Sequence, residues 1–123
     1  MKIAVYTIAL NEVDFVKRWA NSAKEADYLL IADTGSTDGT LEYARDSFGI
    51  KVVSLAVKPW RFDDARNAAL ACLPEDIDYC IALDMDEVLV DGWRSHLEKL
   101  DRFVTRPRYK YVWSWNGDKE GLT

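Results

Sequence analysis

The sequence contains few of the residues that build zinc and disulfide sites. Among its 123 residues there is one histidine, His96, and there are two cysteines, Cys72 and Cys80. Zinc sites draw their ligands from several Cys and His side chains at short, regular spacings, and this chain has no such group. We therefore expect no zinc centre, and we expect the two cysteines to be buried free thiols, as in cytoplasmic proteins.

Long apolar runs and an excess of positive charge are also missing. No stretch approaches the roughly 20 apolar residues that cross a bilayer. The short mixed run after Lys2 meets Asn11 and Glu12 at once, which does not fit a signal peptide. The net charge of −5 argues against general nucleic-acid binding. These absences predict a cytoplasmic protein with no transmembrane segment and no nucleic-acid partner.

Two common phosphate-binding motifs are absent as well. No glycine fingerprint of the dinucleotide-binding type follows the first apolar run, and no Gly-rich loop ending in Lys-Ser or Lys-Thr occurs anywhere. A bound diphosphate would therefore need a metal ion to neutralise it, and Arg66 could supply further positive charge.

What is present is an alternation of apolar runs and helical patterns. The length suits one domain, and 49% apolar residues suit a packed core. We predict strands at 2–9, 28–32, 52–57, 79–83 and 109–115. Helices are predicted over 11–24, from a cap at Thr37 or Asp38 to residue 48, over 62–73 and over 93–100. This order predicts an α/β fold, a doubly wound and mostly parallel sheet with helices on both faces. Residues 1–115 would form the domain and 116–123 an irregular tail.

The most informative segment follows the fourth predicted strand. The apolar run 81–83 ends in three acids, Asp84, Asp86 and Glu87. Crowded carboxylates repel one another unless a cation lies between them, and Mg²⁺ or Mn²⁺ prefers such oxygen ligands. A solvated acidic turn is the alternative interpretation.

Polar clusters also follow the other strands, at residues 9–12, 33–39 and 59–67. The carboxyl ends of parallel strands open onto one edge of a sheet, where ligands bind in open α/β folds. Each cluster alone has a structural explanation: Asn11 could cap a helix, and Asp33 could accept hydrogen bonds from the amides of Ser36 or Thr37. Together they predict one site at that edge.

Arg66 lies early in a predicted helix, where a cation is unfavourable to the helix dipole. An anionic partner would explain it. Asp63 or Asp64 of the same helix is the favoured partner, and a ligand phosphate is the alternative.

These segments together resemble the nucleotide-sugar-binding half of a family 2 glycosyltransferase with the GT-A, Rossmann-like fold. Asn11-Glu12 resembles the family's Tyr-Asn-Glu, and residues 33–40 resemble its Asp-Asp-Gly-Ser-Thr-Asp-Gly-Thr. Residues 65–70 are similar to Ala-Arg-Asn-x-Gly-Leu, and Asp84-Met-Asp86 is similar to the Asp-x-Asp signature. The order and spacing match over residues 1–90, so the chain looks like a truncated transferase.

The resemblance implies a role for each matching residue. Asp33 would bind the base, and Arg66 would lie near base or phosphate. Asp84 would hold ribose or sugar hydroxyls, while Asp86, with Asp84, would ligate the Mn²⁺ or Mg²⁺ that bridges the diphosphate. The implied nucleotide-binding set is Ala9, Leu10, Asn11, Glu12, Asp33, Arg66 and Asp84.

The implied reaction is the inverting transfer of a sugar from a nucleotide-diphosphate donor, a UDP-sugar first of all, to a glycan, lipid or peptide. Two departures stand out, because Leu10 replaces the usual Tyr and Thr34 replaces the second Asp. The family's catalytic base comes from a later segment, so no catalytic residue is predicted. An exposed sheet edge would favour homo-oligomers.

Two alternatives stay open. The chain could be a non-catalytic nucleotide-binding fragment of a longer transferase. Residues 79–91 also resemble the first motif of haloacid-dehalogenase phosphatases, in which the first Asp is a nucleophile. Against the phosphatase, Glu87 stands where glycine is usual, and three strand–helix units precede the motif instead of following it.

Overall fold

Strands and helices alternate throughout residues 2–99, the part of the chain that the computed structural model describes. The apolar runs form strands, and the segments with helical spacing form the connecting helices. The elements are β1 (Ile3–Ala9), α1 (Val13–Ser22), β2 (Tyr28–Asp33), α2 (Thr40–Phe48), β3 (Lys51–Ser54), α3 (Phe62–Ala71), β4 (Tyr79–Ala82) and α4 (Trp93–Glu98).

The four strands form one sheet in the order β3-β2-β1-β4, and every pairing is parallel. The chain builds outward from β1 to β3 and then returns to the other side of β1 for β4. The direction of winding therefore reverses between β1 and β4. In open α/β sheets a crevice forms at such a reversal, beyond the carboxyl ends of the strands.

Apolar side chains cover both faces of the sheet. On one face Ile3 and Val5 of β1 pack with Val16 and Trp19 of α1 in a core that also includes Ala44, Trp93 and Leu97. On the other face Tyr6 packs with Ala69 of α3. The alternation along β1 sends neighbouring side chains to opposite faces, as expected for a strand buried in a parallel sheet. The predicted doubly wound α/β fold is confirmed.

Several element ends differ from prediction. β3 stops at Ser54, before 57, and α3 stops at Ala71, before 73. Asn11 does not cap α1: the capping position belongs to Glu12, while Asn11 adopts a positive φ of 54°. Gly49 ends α2 in the left-handed conformation at φ 64°, as a C-terminal glycine should.

The prediction of buried thiols is wrong, because Cys72 and Cys80 are both exposed. Cys80 lies in β4, which among the described strands pairs only with β1 at the edge of the sheet. Cys72 follows α3, and its Sγ lies 3.3 Å from the carbonyl of Ala68.

The predicted strand at 109–115 and the tail at 116–123 lie outside the described residues. No helix within 2–99 combines the length and the apolar character that spanning a membrane requires.

Candidate functional site

The loop after β2 is closed by the carboxylate of Asp33. Its Oδ2 accepts hydrogen bonds from the amides of Gly35 at 3.1 Å and Ser36 at 2.9 Å, and its Oδ1 accepts one from the Ser36 hydroxyl. Only 4% of the residue is exposed. The turn-forming role that the sequence left open for Asp33 is therefore present in the structure.

The loop between β1 and α1 is tied to the loop after β2. The amide of Asn11 donates to the Ser36 hydroxyl at 2.8 Å, and its side-chain Oδ1 accepts from the Thr37 amide at 2.8 Å. The amide of Glu12 donates to the hydroxyl of buried Thr40 at 3.0 Å. Asn11 makes its two bonds with a positive φ, and together the three bonds join the two loops into one unit.

The acidic segment after β4 is held by its backbone. The indole Nε1 of Trp19 donates to the carbonyl of Leu83 at 2.9 Å, and the guanidinium of Arg18 donates to the carbonyl of Asp86 at 3.1 Å. Met85 is buried between two exposed acids, Asp84 and Asp86. Helix α1 thus fixes the turn, while the acidic side chains remain at the surface of the site.

A pocket of about 220 Å³ lies where the winding reverses, between the ends of β1 and β4. Charged side chains reach it from the loop after β1, from α3 and from the loop after β4. The predicted site residues on its wall are Glu12, Arg66, Asp84 and Asp86.

Arg66 reaches across this pocket to Asp84. Its Nη2 lies 3.8 Å from Asp84 Oδ1, and its guanidinium carbon lies 4.8 Å from the centre of the Phe62 ring. The preference for an intrahelical partner at Asp63 or Asp64 is wrong, since the guanidinium lies over the Phe62 ring and meets an acid of another loop. The side chains of the pair are 42% and 59% exposed, so the bond contributes only about 0–1 kcal/mol. An anion that binds the guanidinium more strongly can therefore replace Asp84 as its partner.

Glu12 lines this pocket and has a raised pKa. Partial burial raises the pKa of its carboxyl above the ordinary value, and the negative charges of Asp86 and Asp84 raise it further. The Leu10 amide acts in the opposite direction. Acids whose pKa is raised by burial and by like charges often mark functional sites, because a cation relieves both effects.

The donor set fits a divalent cation that shares its ligands with a substrate. Within residues 2–99 no three acids, histidines or cysteines are close enough to form a complete cage. Mg²⁺ commonly binds through one or two carboxylates and completes its coordination with water and substrate phosphates. Asp86 and Asp84 on one pocket wall match that pattern.

A second pocket, of about 410 Å³, adjoins the first, and both are lined by Ile8, Glu12 and Phe62. Its remaining wall is formed by Ala9, Leu10, Thr34 and Trp60. Asp33 lines neither pocket.

Trp60 and Phe62 were not predicted as site residues. Phe62 stands at helical spacing from Ala65 and Ala69, a pattern typical of a core face, yet it is 48% exposed, and Trp60 is 53% exposed. Both residues belong to the polar cluster at 59–67 that follows β3, and this position in the sequence could have indicated that they lie at the site.

Comparison with known proteins is consistent with this architecture. A family model described as Glycosyl transferase family 2 matches residues 4–119. The crystal structure of S. aureus TarS 1-349 is 22% identical with a TM-score of 0.65; the match covers 80% of this chain and 31% of that one. The crystal structure of M. tuberculosis glucosyl-3-phosphoglycerate synthase is 29% identical with a TM-score of 0.59, covering 71% of this chain and 35% of that one. The search of curated proteins gave no match.

Proposed function

The chain belongs to glycosyl transferase family 2, and from this premise we propose that the pocket between β1 and β4 binds the diphosphate of a nucleotide-sugar together with Mn²⁺ or Mg²⁺. The observation that carries the proposal is the convergence of three acids and one arginine where the sheet reverses its winding. Carboxylates alone would repel a diphosphate, so a cation must lie between the acids and the phosphates.

Asp86 and Asp84 are the proposed ligands of this cation. When bound, the cation would act as a Lewis acid that stabilises the charge developing on the leaving diphosphate. Arg66 already lies beside Asp84 through a weak, exposed ion pair. We propose that it exchanges this carboxylate for a phosphate oxygen, since a guanidinium forms charge-assisted bonds with either anion.

The nucleoside is proposed to lie against residues 9–12. Ala9 and Leu10 line the second pocket and Glu12 lines both pockets, which supports a position for Glu12 between base and diphosphate. Asn11 supports this segment through its bonds to the loop after β2. Asp33 supports the same loop from within, and its role as a base ligand stays a prediction.

The proposed reaction is transfer of the donor sugar to an acceptor, a glycan, lipid or peptide. An acceptor hydroxyl would attack the anomeric carbon while the bond to the diphosphate breaks, and the family resemblance favours inversion. The match with this chain covers 31% and 35% of the two solved structures above. We therefore propose that the complete transfer reaction needs further secondary structure beyond that of residues 2–99. No catalytic base is assigned among those residues.

The family match over residues 4–119 does not favour the phosphatase interpretation. An assay of UDP-sugar hydrolysis distinguishes the two remaining interpretations: an enzyme hydrolyses the donor slowly, and a non-catalytic fragment only binds it.

The direct test is thermal unfolding of the full chain with UDP, with and without Mn²⁺. We expect UDP to raise the melting temperature only when Mn²⁺ is present, because binding to the folded state stabilises it. Acetyl phosphate and BeF₃⁻, which mimic phosphatase substrates and intermediates, should have no effect. A shift with these compounds and none with UDP would overturn the proposal.

A further inference from the structure

We infer that the second pocket receives the nucleobase by stacking and apolar contact, and that it accepts purines as well as pyrimidines. The inference rests on the proposed diphosphate site and adds the class of base that this chain takes.

The two pockets are continuous, which makes the second one the natural place for a base. Glu12 and Phe62 belong to both walls. A nucleoside diphosphate with its phosphates near Asp86 therefore extends past Glu12 into the second pocket. The volume of about 410 Å³ lies within the usual range of roughly 300–1,000 Å³ for small-molecule sites, so size alone does not restrict the base to a pyrimidine.

The wall of this pocket is suited to the flat face of a base. Trp60, Leu10 and Phe62 are about half-exposed, at 53%, 54% and 48%. Three large apolar side chains around one cavity are a recognisable ligand surface, while single exposed ones are common. Stacking on an aromatic ring tolerates every base, since all bases have a π-face.

Groups that could select one base are few on the same wall. The Glu12 carboxylate can accept a hydrogen bond, but both uracil and guanine offer N–H donors to such an acceptor. A site discriminates strongly when its buried hydrogen-bonding groups are matched by one ligand and left unpaired by another. The Thr34 hydroxyl already donates to the carbonyl of Ala9 at 3.1 Å. Asp33, the residue implied by the resemblance, holds the turn and is almost fully buried. The indole N–H of Trp60 can donate one bond, but every base offers acceptors.

The experiment is calorimetric titration of the full chain, in Mn²⁺, with UDP, GDP and inorganic pyrophosphate. We expect UDP and GDP to bind within about tenfold of each other and both more tightly than pyrophosphate. Trp60→Ala should weaken both nucleotides by about tenfold or more, in line with the strength of base–aromatic stacking, without affecting pyrophosphate. Trp60→Phe should restore most of the affinity. Val90→Ala is the control, because Val90 is an exposed apolar residue that lines neither pocket.

The possible outcomes distinguish failure of base stacking from failure of the proposed diphosphate site. If pyrophosphate binds with Mn²⁺ but the nucleotides bind no tighter, or if Trp60→Ala changes nothing, base stacking is overturned while the diphosphate site stands. A preference between UDP and GDP greater than tenfold would overturn the broad base tolerance. If neither pyrophosphate nor nucleotide binds, the proposed function itself fails.

Discussion

The indole N–H of Trp19 in α1 donates a hydrogen bond to the carbonyl of Leu83, 64 residues later, at 2.9 Å in the buried core. Through this bond the first helix fixes the place where β4 ends and the acidic segment begins. A packing residue of the core therefore also positions Asp84 and Asp86.

Trp19→Phe should lower the free energy of unfolding by about 1–3 kcal/mol, since it leaves a buried carbonyl without its donor. It should also weaken Mn²⁺-dependent UDP binding, because the acidic turn loses its anchor. Urea unfolding and calorimetry measure the two effects. Trp93→Phe is the matched control: its indole donates to the Ser22 carbonyl at 3.0 Å, and Trp93 lines neither pocket. Equal loss of UDP affinity in both variants would contradict a specific role for Trp19.

Asp86→Ala should reduce Mn²⁺-dependent UDP binding by about tenfold or more, as expected for loss of a charged ligand. The fold should persist, because the bond from Arg18 is made to the backbone carbonyl of Asp86. Calorimetry with and without Mn²⁺ gives the difference, and Asp91→Ala, an exposed acid that lines neither pocket, is the control. Unchanged metal dependence would count against the site.

Arg66→Ala should weaken UDP binding by about tenfold and strengthen the binding of Mn²⁺ alone. The first effect follows from loss of a phosphate partner, and the second follows because Asp84 loses its competing cation. Arg66→Lys should recover part of the UDP affinity. Titrations of each ligand separately measure both effects, and a parallel decrease for both would show that Arg66 only supports the local structure.

Asp33 can be tested by a pair of substitutions. Asp33→Asn preserves an oxygen for the amides of Gly35 and Ser36, while Asp33→Ala removes both side-chain acceptors. If the residue forms the turn, the alanine variant loses stability and UDP affinity and the asparagine variant keeps most of both. If Asp33 contacts the base directly, the asparagine variant should lose affinity for UDP while its stability is unchanged.

Glu12→Gln should stabilise the ligand-free protein at neutral pH. The folded-state pKa of Glu12 is raised above its unfolded value, so ionisation costs stability as the pH rises from the unfolded pKa through the folded one. The wild type should therefore lose stability relative to the variant over that interval, as urea unfolding across acidic to neutral pH would measure. Binding of Mn²⁺ should lower the pKa and release protons in the wild type only. Identical pH profiles would refute the perturbation.

The sheet was predictable because its signals are local. Apolar runs placed all four described strands, although β3 ends earlier than its run of Val and Leu indicated. The meeting of Glu12, Asp84 and Asp86 followed from the rule that carboxyl ends of parallel strands share one edge. Neither result required knowledge of side-chain contacts.

The errors lie where a side chain chooses a partner far along the chain. Arg66 meets Asp84 instead of Asp63 or Asp64, and Asn11 bonds the loop after β2 instead of capping its own helix. Phe62 has the spacing of a core residue but lines both pockets. In each case tertiary geometry, which periodicity does not encode, decides between local and distant contacts.

The acidic turn after β4 is held by hydrogen bonds from α1 to the main-chain carbonyls of Leu83 and Asp86, and by the buried side chain of Met85. Replacement of its two exposed carboxylates by other ligating groups should leave the path of the backbone unchanged. The choice of cation that we propose for this site could therefore be altered at these two positions while the surrounding fold is kept.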